Sequence, residues 1–373
     1  MTTTGKESRP RVDFGRRTVL LRTSGFSTRG LRGRAPRTGG PGISLLLDVR
    51  TIVVSIPLIL AGLAAGLLAL ATGDYALSVQ QVLQAFTGDA DTLTRTVVLD
   101  WRLPRVLSAL LFGAALGMSG GIFQSLTRNP LGSPDIIGFN TGAYTGALLV
   151  ILTAGGSYLH IASGALIGGI LTALAVYVLA FRRGSQGFRL IIVGIGVSAM
   201  LASLNHWLIL RAELEVSMAA AVWGAGSLNG ITWEQAAPAA AVMIVVAAAA
   251  LAVSRRMRML EMGDDAARAL GVRAEPTRVL LMILGVALTA AVTAVAGPIA
   301  FVALAAPQLA RRVTRSAGIT LLPSALMGSV LLSASDLAAQ RLFAPIQLPV
   351  GVITVCIGGI YLVWLLAREA RKS

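Results

Sequence analysis

Beyond residue 50 the chain falls into long apolar runs separated by short polar joints. Ten such runs stand out, at roughly 51–71, 104–126, 135–155, 159–181, 189–210, 235–254, 277–296, 298–314, 321–340 and 349–367. About 20 apolar residues is the length an α-helix needs to cross some 30 Å of hydrocarbon. The eighth run is shorter, carries Pro307 and has no sharp start. The pattern predicts an all-α polytopic membrane protein of about ten transmembrane helices over residues 49–373. Residues 1–48 stand apart. They are rich in Arg, Gly, Thr and Ser with almost no apolar run, and read as a disordered basic tail at the membrane surface. Arg16 and Arg17 do not make this tail a twin-arginine leader, because no apolar stretch follows before residue 51.

The second and third runs belong to one block, Trp101 to Gly146, stepped with glycine. Gly113, Gly117 and Gly121 fall four apart, and so do Gly138, Gly142 and Gly146. That spacing puts each trio on one helix face, where missing side chains let a neighbouring backbone approach; within lipid this is how helices hold together. Taken alone, the glycines specify packing and nothing more. Arg105-Val106-Leu107 at the head of the second run is echoed by Arg278-Val279-Leu280 at the head of the seventh. Offset by five runs, the copies would enter the membrane from opposite sides, the inverted-repeat character of many transporters. Three matched residues are also within reach of chance.

Composition supports the membrane reading. Of 373 residues 55% are hydrophobic and 13% charged, with a mean hydropathy of +0.76; soluble domains carry about a quarter charged residues. The single Cys356 excludes a disulfide framework, and two His leave little room for a transition-metal cage. The net charge of +15 would suggest nucleic acid in a soluble protein, but its distribution says otherwise. With both termini cytoplasmic, the outward segments hold five basic residues, Arg95, Arg102, Arg105, Arg211 and Arg341, and the other 27 of 32 lie inside. That is the positive-inside bias, and the opposite orientation would invert it. The basic excess therefore meets lipid headgroups, not nucleic acid.

Catalytic signatures are missing. There is no Walker-type phosphate loop, no paired carboxylates, no Ser/His/Asp set and no HExxH. Charges inside the runs are almost absent. Asp336 is the exception; it falls near the outer end of the ninth run beside Arg341, which suits a structural role. A proton- or sodium-coupled carrier needs buried ionisable groups, so energy should enter elsewhere. The 255–278 loop, RRMRMLEMGDDAARALGVRAEPTR, is the place for it. Asp264 or Asp265 can cap a short helix over Ala266–Leu270, with Ala267 inside it, and Gly271 can end it in a left-handed conformation. A stiff two-turn helix on a cytoplasmic loop suits docking in a groove of another protein; a plain connector with a capped turn has the same pattern.

At these residues the chain resembles a known family. Asp265-Ala266-Ala267, three residues and Gly271 are similar to the cytoplasmic coupling signature of ABC importer permeases, with Asp in place of the usual Glu. The segments RLPR and GAALGMSGGIFQSLTRNPLGSPDIIGFNTGA resemble the permeases that import iron–siderophores, haem and vitamin B12, the type II importer fold. So do AGPIAFVALAAPQLARR, LLPSALMGSVLLSASDLAAQ and QLPVGVITVCIGG, in matching order and spacing.

The resemblance implies a ten-helix permease in the bacterial cytoplasmic membrane, working as a dimer with the path between subunits. A separate ATPase would dock on 262–272 and use the ATP and magnesium, so this chain would bind no cofactor and no metal and catalyse nothing. An extracytoplasmic binding protein would deliver the ligand, its Glu side chains meeting Arg102 and Arg105. A third family Arg falls at Gln340, with Arg341 adjacent. The family's cytoplasmic gate matches Asn129 and Leu131, and Gly187 and Phe188. Spans five and ten would line the path, with Met200, Asn205 and His206 as the polar or adaptable residues of span five.

Four departures stand out: Gln308 for a frequent His, Gln347 for a usual Glu, Ala303 for Gly, and Gln340. Lost polar positions imply pairing with a related permease and not with a second copy. The expected cargo is a ferric siderophore, with cobalamin and haem as alternatives. An ATPase-independent secondary transporter and a structural scaffold are the other classes.

Overall fold

The structure, a computed structural model, describes residues 18–22, 44–154, 157–180 and 187–370. The chain divides into residues 1–57 and a helical body, 58–373. In the first unit β1 (Thr18–Arg22) and β2 (Ser44–Asp48) pair antiparallel, Thr18 opposite Asp48. These two stretches depart from the disorder expected of the tail. Val19-Leu20-Leu21 and Leu45-Leu46-Leu47 are short apolar runs that a ladder can hold together. The rest of that segment lies outside the described residues.

The helices follow in order. They are α1 (Val49–Ala71), α2 (Val79–Thr87) and α3 (Thr92–Arg95), which continues through a π-helical turn (Thr96–Arg102) into α4 (Leu103–Thr127). A 3-10 turn (Pro134–Ile137) leads to α5 (Phe139–Ala154), α6 (Tyr158–Ala180), α7 (Gly187–Arg211), α8 (Leu214–Gly224) and α9 (Trp233–Glu261). After the short α10 (Asp264–Ala269) come α11 (Ala274–Ala296), α12 (Val302–Thr314), α13 (Leu321–Arg341) and α14 (Val350–Ala370). Every predicted span holds a helix. Among the described residues seven helical stretches are long and apolar enough to cross a membrane; the third, eighth and tenth spans are α5, α12 and α14. At 13 residues α12 is short. It follows a non-helical turn, Gly297 to Phe301, with positive φ at both ends. Irregular backbone of this kind is tolerated at membrane depth only where protein buries it.

Helix α4 is the centre. Phe112, Leu116, Ile122 and Phe123 are fully buried, and α9, α11, α12 and α13 pack around it. The glycine spacing explains how they come so close. A methyl built on Gly113 or Gly117 would land on the carbonyl of Gly328 or Ser324 in α13, and one on Gly120 would land on Ala303 of α12. Helices α5 and α6 repeat the device: Gly142 and Gly146 face Gly168 and Gly164. Gly138 differs from the prediction. It sits at φ 79, closing the 3-10 turn ahead of α5, because the chain must break there to leave the turn.

Polar groups inside the body are tied together. Ser119 on α4 donates to the Gly285 carbonyl and meets the Thr289 hydroxyl on α11, both at 2.8 Å. With Phe123 against Gly285 as well, rising numbers on α4 face falling numbers on α11, so the two run antiparallel. Arg105 and Arg278, the echoed pair, therefore head helices that start at opposite ends of the body.

The close approach of α4 to α13 is testable. Gly113→Leu should lower the melting temperature of the detergent-purified protein, with overpacking alone costing roughly 1–3 kcal/mol. Gly196→Ala, whose new methyl meets nothing within 4 Å, should leave it unchanged.

Candidate functional site

Three polar sites interrupt the apolar body, one at each end and one along its side. At the Arg102 end, a cavity of about 430 Å3 is lined by Asp74, Asp100, Trp101, Arg102, Arg105 and Gln347 among others. Arg102 donates to the carbonyls of Leu70 and Tyr75, each at 2.6 Å, and its guanidinium lies where a side chain on Gly73 would be. Arg105 forks onto Asp336, with Nη2 at 2.8 Å and Nε at 3.0 Å and 3.2 Å. Gln347 accepts from Arg105 Nη1 at 2.9 Å and Gln340 donates to Asp336 at 2.8 Å.

This arrangement changes two expectations. The partner of Asp336 is Arg105, not the nearby Arg341, because a bidentate fork across two helices satisfies both carboxylate oxygens. Arg105 is only 14% exposed and so turns its charge inward. Arg341 keeps its Nε and Nη2 without a hydrogen-bond partner among the described residues.

At the opposite end Asp264 is the hub. It accepts from Arg128 Nη2 at 2.8 Å and from Arg278 Nη2 at 2.8 Å and 2.9 Å. Arg128 Nη2 also reaches the Leu260 carbonyl at 2.9 Å, and Arg278 reaches Glu275 at 3.2 Å. Neither Asp264 nor Asp265 caps α10. Gly263, at φ 111, holds the cap position, and the helix starts at Asp264 and not at Ala266. Two guanidiniums hold the Asp264 carboxylate more strongly than one backbone N–H would. The far end is as predicted: Gly271 sits at φ 81, with Gly271 N–H bonded to Arg268 and Val272 N–H to Ala267. Ala267 is fully buried, while Asp265, Ala266, Leu270 and Gly271 face outward. Asp264 lies outside the apolar spans, and its bond to Arg278 holds its carboxyl below the ordinary value of 3.8. The stabilisation is thus present above that value and is lost only as acid drives the pH through the lowered pKa.

Along the side, two adjoining cavities of about 390 and 480 Å3 share Asn140, Thr141, Gly224 and Pro298. Asn205 and His206 of α7 line the first, and Val352, Val355 and Cys356 of α14 the second. Asn205 is 4% exposed, with Nδ2 3.5 Å from the Thr141 carbonyl and Oδ1 without a partner among the described residues. Asp135 also lines this cleft, bonded to Asn140 Nδ2 and to the Phe301 backbone. Asn140 in turn accepts from Thr293 at 3.4 Å. Among the described residues no Arg or Lys lines either cavity.

Sequence reasoning named α7 and α14 for one path, and both border this cleft. Met200 is exposed on α7. Asn129 and Leu131 form the turn after α4, where Asn129 Oδ1 accepts the Leu131 N–H at 2.9 Å. Gly187 and Phe188 open α7, with side chains outside the described residues. Asp135, Arg128 and Arg278 were missed as site residues. Asp135 stood at the very head of the third span, and Arg278 in the echo, so both signals were present. Arg128 gave none beyond its place before Asn129-Pro130. The four departures all have uses inside the chain: Gln308 donates to Gln124 at 2.6 Å, Gln340 and Gln347 flank the Arg105–Asp336 pair, and Ala303 packs on Gly120.

Comparison with known proteins gives the family and the fold. A family model described as the FecCD transport family matches residues 59–368. The ferric enterobactin transport system permease protein FepG of Escherichia coli (strain K12) is 54% identical over 324 residues, covering 87% of this chain and 98% of its own. The achromobactin transport system permease protein CbrC of Dickeya dadantii (strain 3937) is 35% identical, covering 87% and 93%. A solved chain described as an inward-facing, metal-chelate type ABC transporter superposes with a TM-score of 0.76 at 28% identity, covering 85% of this chain and 99% of its own.

The buried ion pair generates a prediction. Asp336→Ala leaves the Arg105 charge unpaired and should destabilise the protein by roughly 3–5 kcal/mol, whereas Arg105→Met with Asp336→Leu should restore most of the loss. Thermal melting of the three purified proteins checks it.

Proposed function

The chain belongs to the FecCD transport family, and on that premise we propose that it is the membrane-spanning permease subunit of an ATP-driven ferric-siderophore importer. One observation carries the reading: a collinear match over 87% of this chain and 98% of a ferric enterobactin permease, at 54% identity. It is a multi-pass protein of the bacterial inner membrane. Ten crossings with both termini cytoplasmic fit its helices and the distribution of its basic residues.

Transport is by alternating access. Cargo enters from an extracytoplasmic binding protein, and the cleft opens to one side and then the other as partner ATPases close and part. The chain itself hydrolyses nothing and binds no cofactor; ATP and magnesium belong to the ATPase. Helix α10 is the coupling helix, its outward Asp265, Ala266, Leu270 and Gly271 meeting the ATPase while Asp264 and Ala267 hold it to the body. At the other end Arg102 and Arg341 meet the binding protein. Arg105 supports that surface from beneath. Exposed ion pairs of this kind steer docking more than they strengthen it.

The cleft between α5, α7, α8 and α14, completed by a second permease, is the cargo path. Met200 and Asn205 border it, and Asn129, Leu131, Gly187 and Phe188 close its cytoplasmic end. Its walls mix Gly, Ala, Val, Ile and Pro with the polar side chains of Asp135, Asn140, Thr141, Tyr144, Asn205 and His206 and carry no basic residue other than His206, which suits a bulky chelate held by hydrogen bonds. The second permease is a related chain and not another copy. Co-purification of a tagged chain should yield two distinct permease species; a single species would overturn that pairing.

Uptake tests the function. In cells lacking the chain, ferric-siderophore uptake should return with wild type and fail with Gly271→Trp, which should still reach the membrane. At φ 81 any side chain is strained, so Gly271→Ala separates that cost from bulk: its methyl meets nothing within 4 Å, and it should keep most transport. Normal uptake by the Trp variant would remove the docking role of α10.

A further inference from the structure

The residue joining α10 to the turn beyond α4 is Arg128, and its backbone is as unusual as its side chain. It sits at φ 50 and ψ 32, the left-handed position that ends a helix and that glycine usually fills. Its N–H bonds to Ser125 at 3.3 Å and the Asn129 N–H to Gln124 at 3.2 Å. Immediately beyond, the Asn129 side chain holds the Leu131 N–H, and the Asn129 carbonyl holds the Gly132 N–H at 2.9 Å. A methyl on Gly132 would land on the Thr127 hydroxyl, so the turn is folded hard against the end of α4. Such a turn has discrete arrangements more readily than a continuum of them.

The Arg128 side chain reaches across to two other elements. One nitrogen, Nη2, reaches both the Leu260 carbonyl, at the end of α9, and Asp264, at the start of α10. Arg278 holds the same carboxylate from α11 but differs in setting. Its side chain is 14% exposed and touches both Asp264 oxygens, whereas that of Arg128 is 48% exposed and touches one. Asp264 is therefore fixed to α11, and Arg128 is the bridge that crosses to α4.

We propose that Arg128 is the positioning residue through which movement of α10 resets the Asn129–Leu131 turn, with Asp264 as the shared acceptor and Arg278 as the anchor. The proposal rests on the reading of the chain as an importer permease. When the ATPase shifts α10, Nη2 loses Asp264 and keeps only the Leu260 carbonyl of α9, so the side chain no longer ties the left-handed residue to α10. The turn then rearranges and carries Leu131 with it.

The test uses the assembled transporter with its ATPase, in membranes. Leu131→Cys is labelled by a maleimide, alone and with Arg128→Gln, without nucleotide and after trapping with ATP and vanadate. Peptide mass spectrometry separates this site from Cys356. Trapping should change the Leu131→Cys labelling rate about tenfold, an ordinary coupling factor, and Arg128→Gln should abolish the change while ATP hydrolysis continues. A change that persists in Arg128→Gln overturns the proposal. Parallel loss of hydrolysis also overturns it, because Arg128 would then act through assembly. No change with Arg128 present removes the moving turn itself. None of these outcomes depends on cargo, so failure of siderophore uptake is read separately. Arg278→Gln, the anchor variant, should instead lower the amount of assembled complex.

Discussion

The structure depends on how closely the backbone of α4 approaches its neighbours. Lipid tails are as apolar as leucine, so burying a side chain against another helix gains little over leaving it in the bilayer. What remains is dispersion between atoms in contact, together with the polar bonds that contact allows. Gly113, Gly117 and Gly120 let α12 and α13 lie directly on α4. Gly142, Gly146, Gly164 and Gly168 do the same for α5 and α6. The Ser119–Thr289 bond exists because α11 comes equally near. With the helices held at that range, charges can be confined to the ends.

Those charges follow one design used twice. Arg105 opens α4 and grips Asp336 of α13; Arg278 opens α11 and grips Asp264 beside α10. The two helices run antiparallel, so the grips fall at opposite ends of the body. Each stitches a helix start to a neighbouring element, and the difference lies in what surrounds it. Around Arg105 two glutamines finish the bonding and the pair is nearly sealed. Around Asp264 a second arginine reaches in from a strained turn, and the carboxylate is partly open.

Much of this was legible in the residues. The ten apolar runs all became helices, the glycine steps at Gly113, Gly117, Gly142 and Gly146 became backbone contacts, and Gly271 took its left-handed conformation. The two Arg-Val-Leu triplets head α4 and α11, which run antiparallel. Other readings failed for a common reason. Asp336 was assigned to Arg341 because they are close in the chain, and Asp264 was given to its own helix cap for the same cause. Long guanidiniums choose carboxylates by geometry in three dimensions, and Arg105 is 231 positions from Asp336.

The sequence by itself determined the class of the protein, its helices and the left-handed turn at Gly271 that ends the short helix of the 255–278 loop. These rest on local properties: apolar length, residue spacing and backbone freedom at glycine. The tertiary structure alone decided which charges are spent inside and which are offered outside. It turned Arg105 inward onto Asp336, brought Asp135 and Asn205 to one cleft, and set Arg128 between two elements far apart in the chain. Pairing in a medium of low dielectric is strong and selective, and which groups meet is fixed only once the helices have packed.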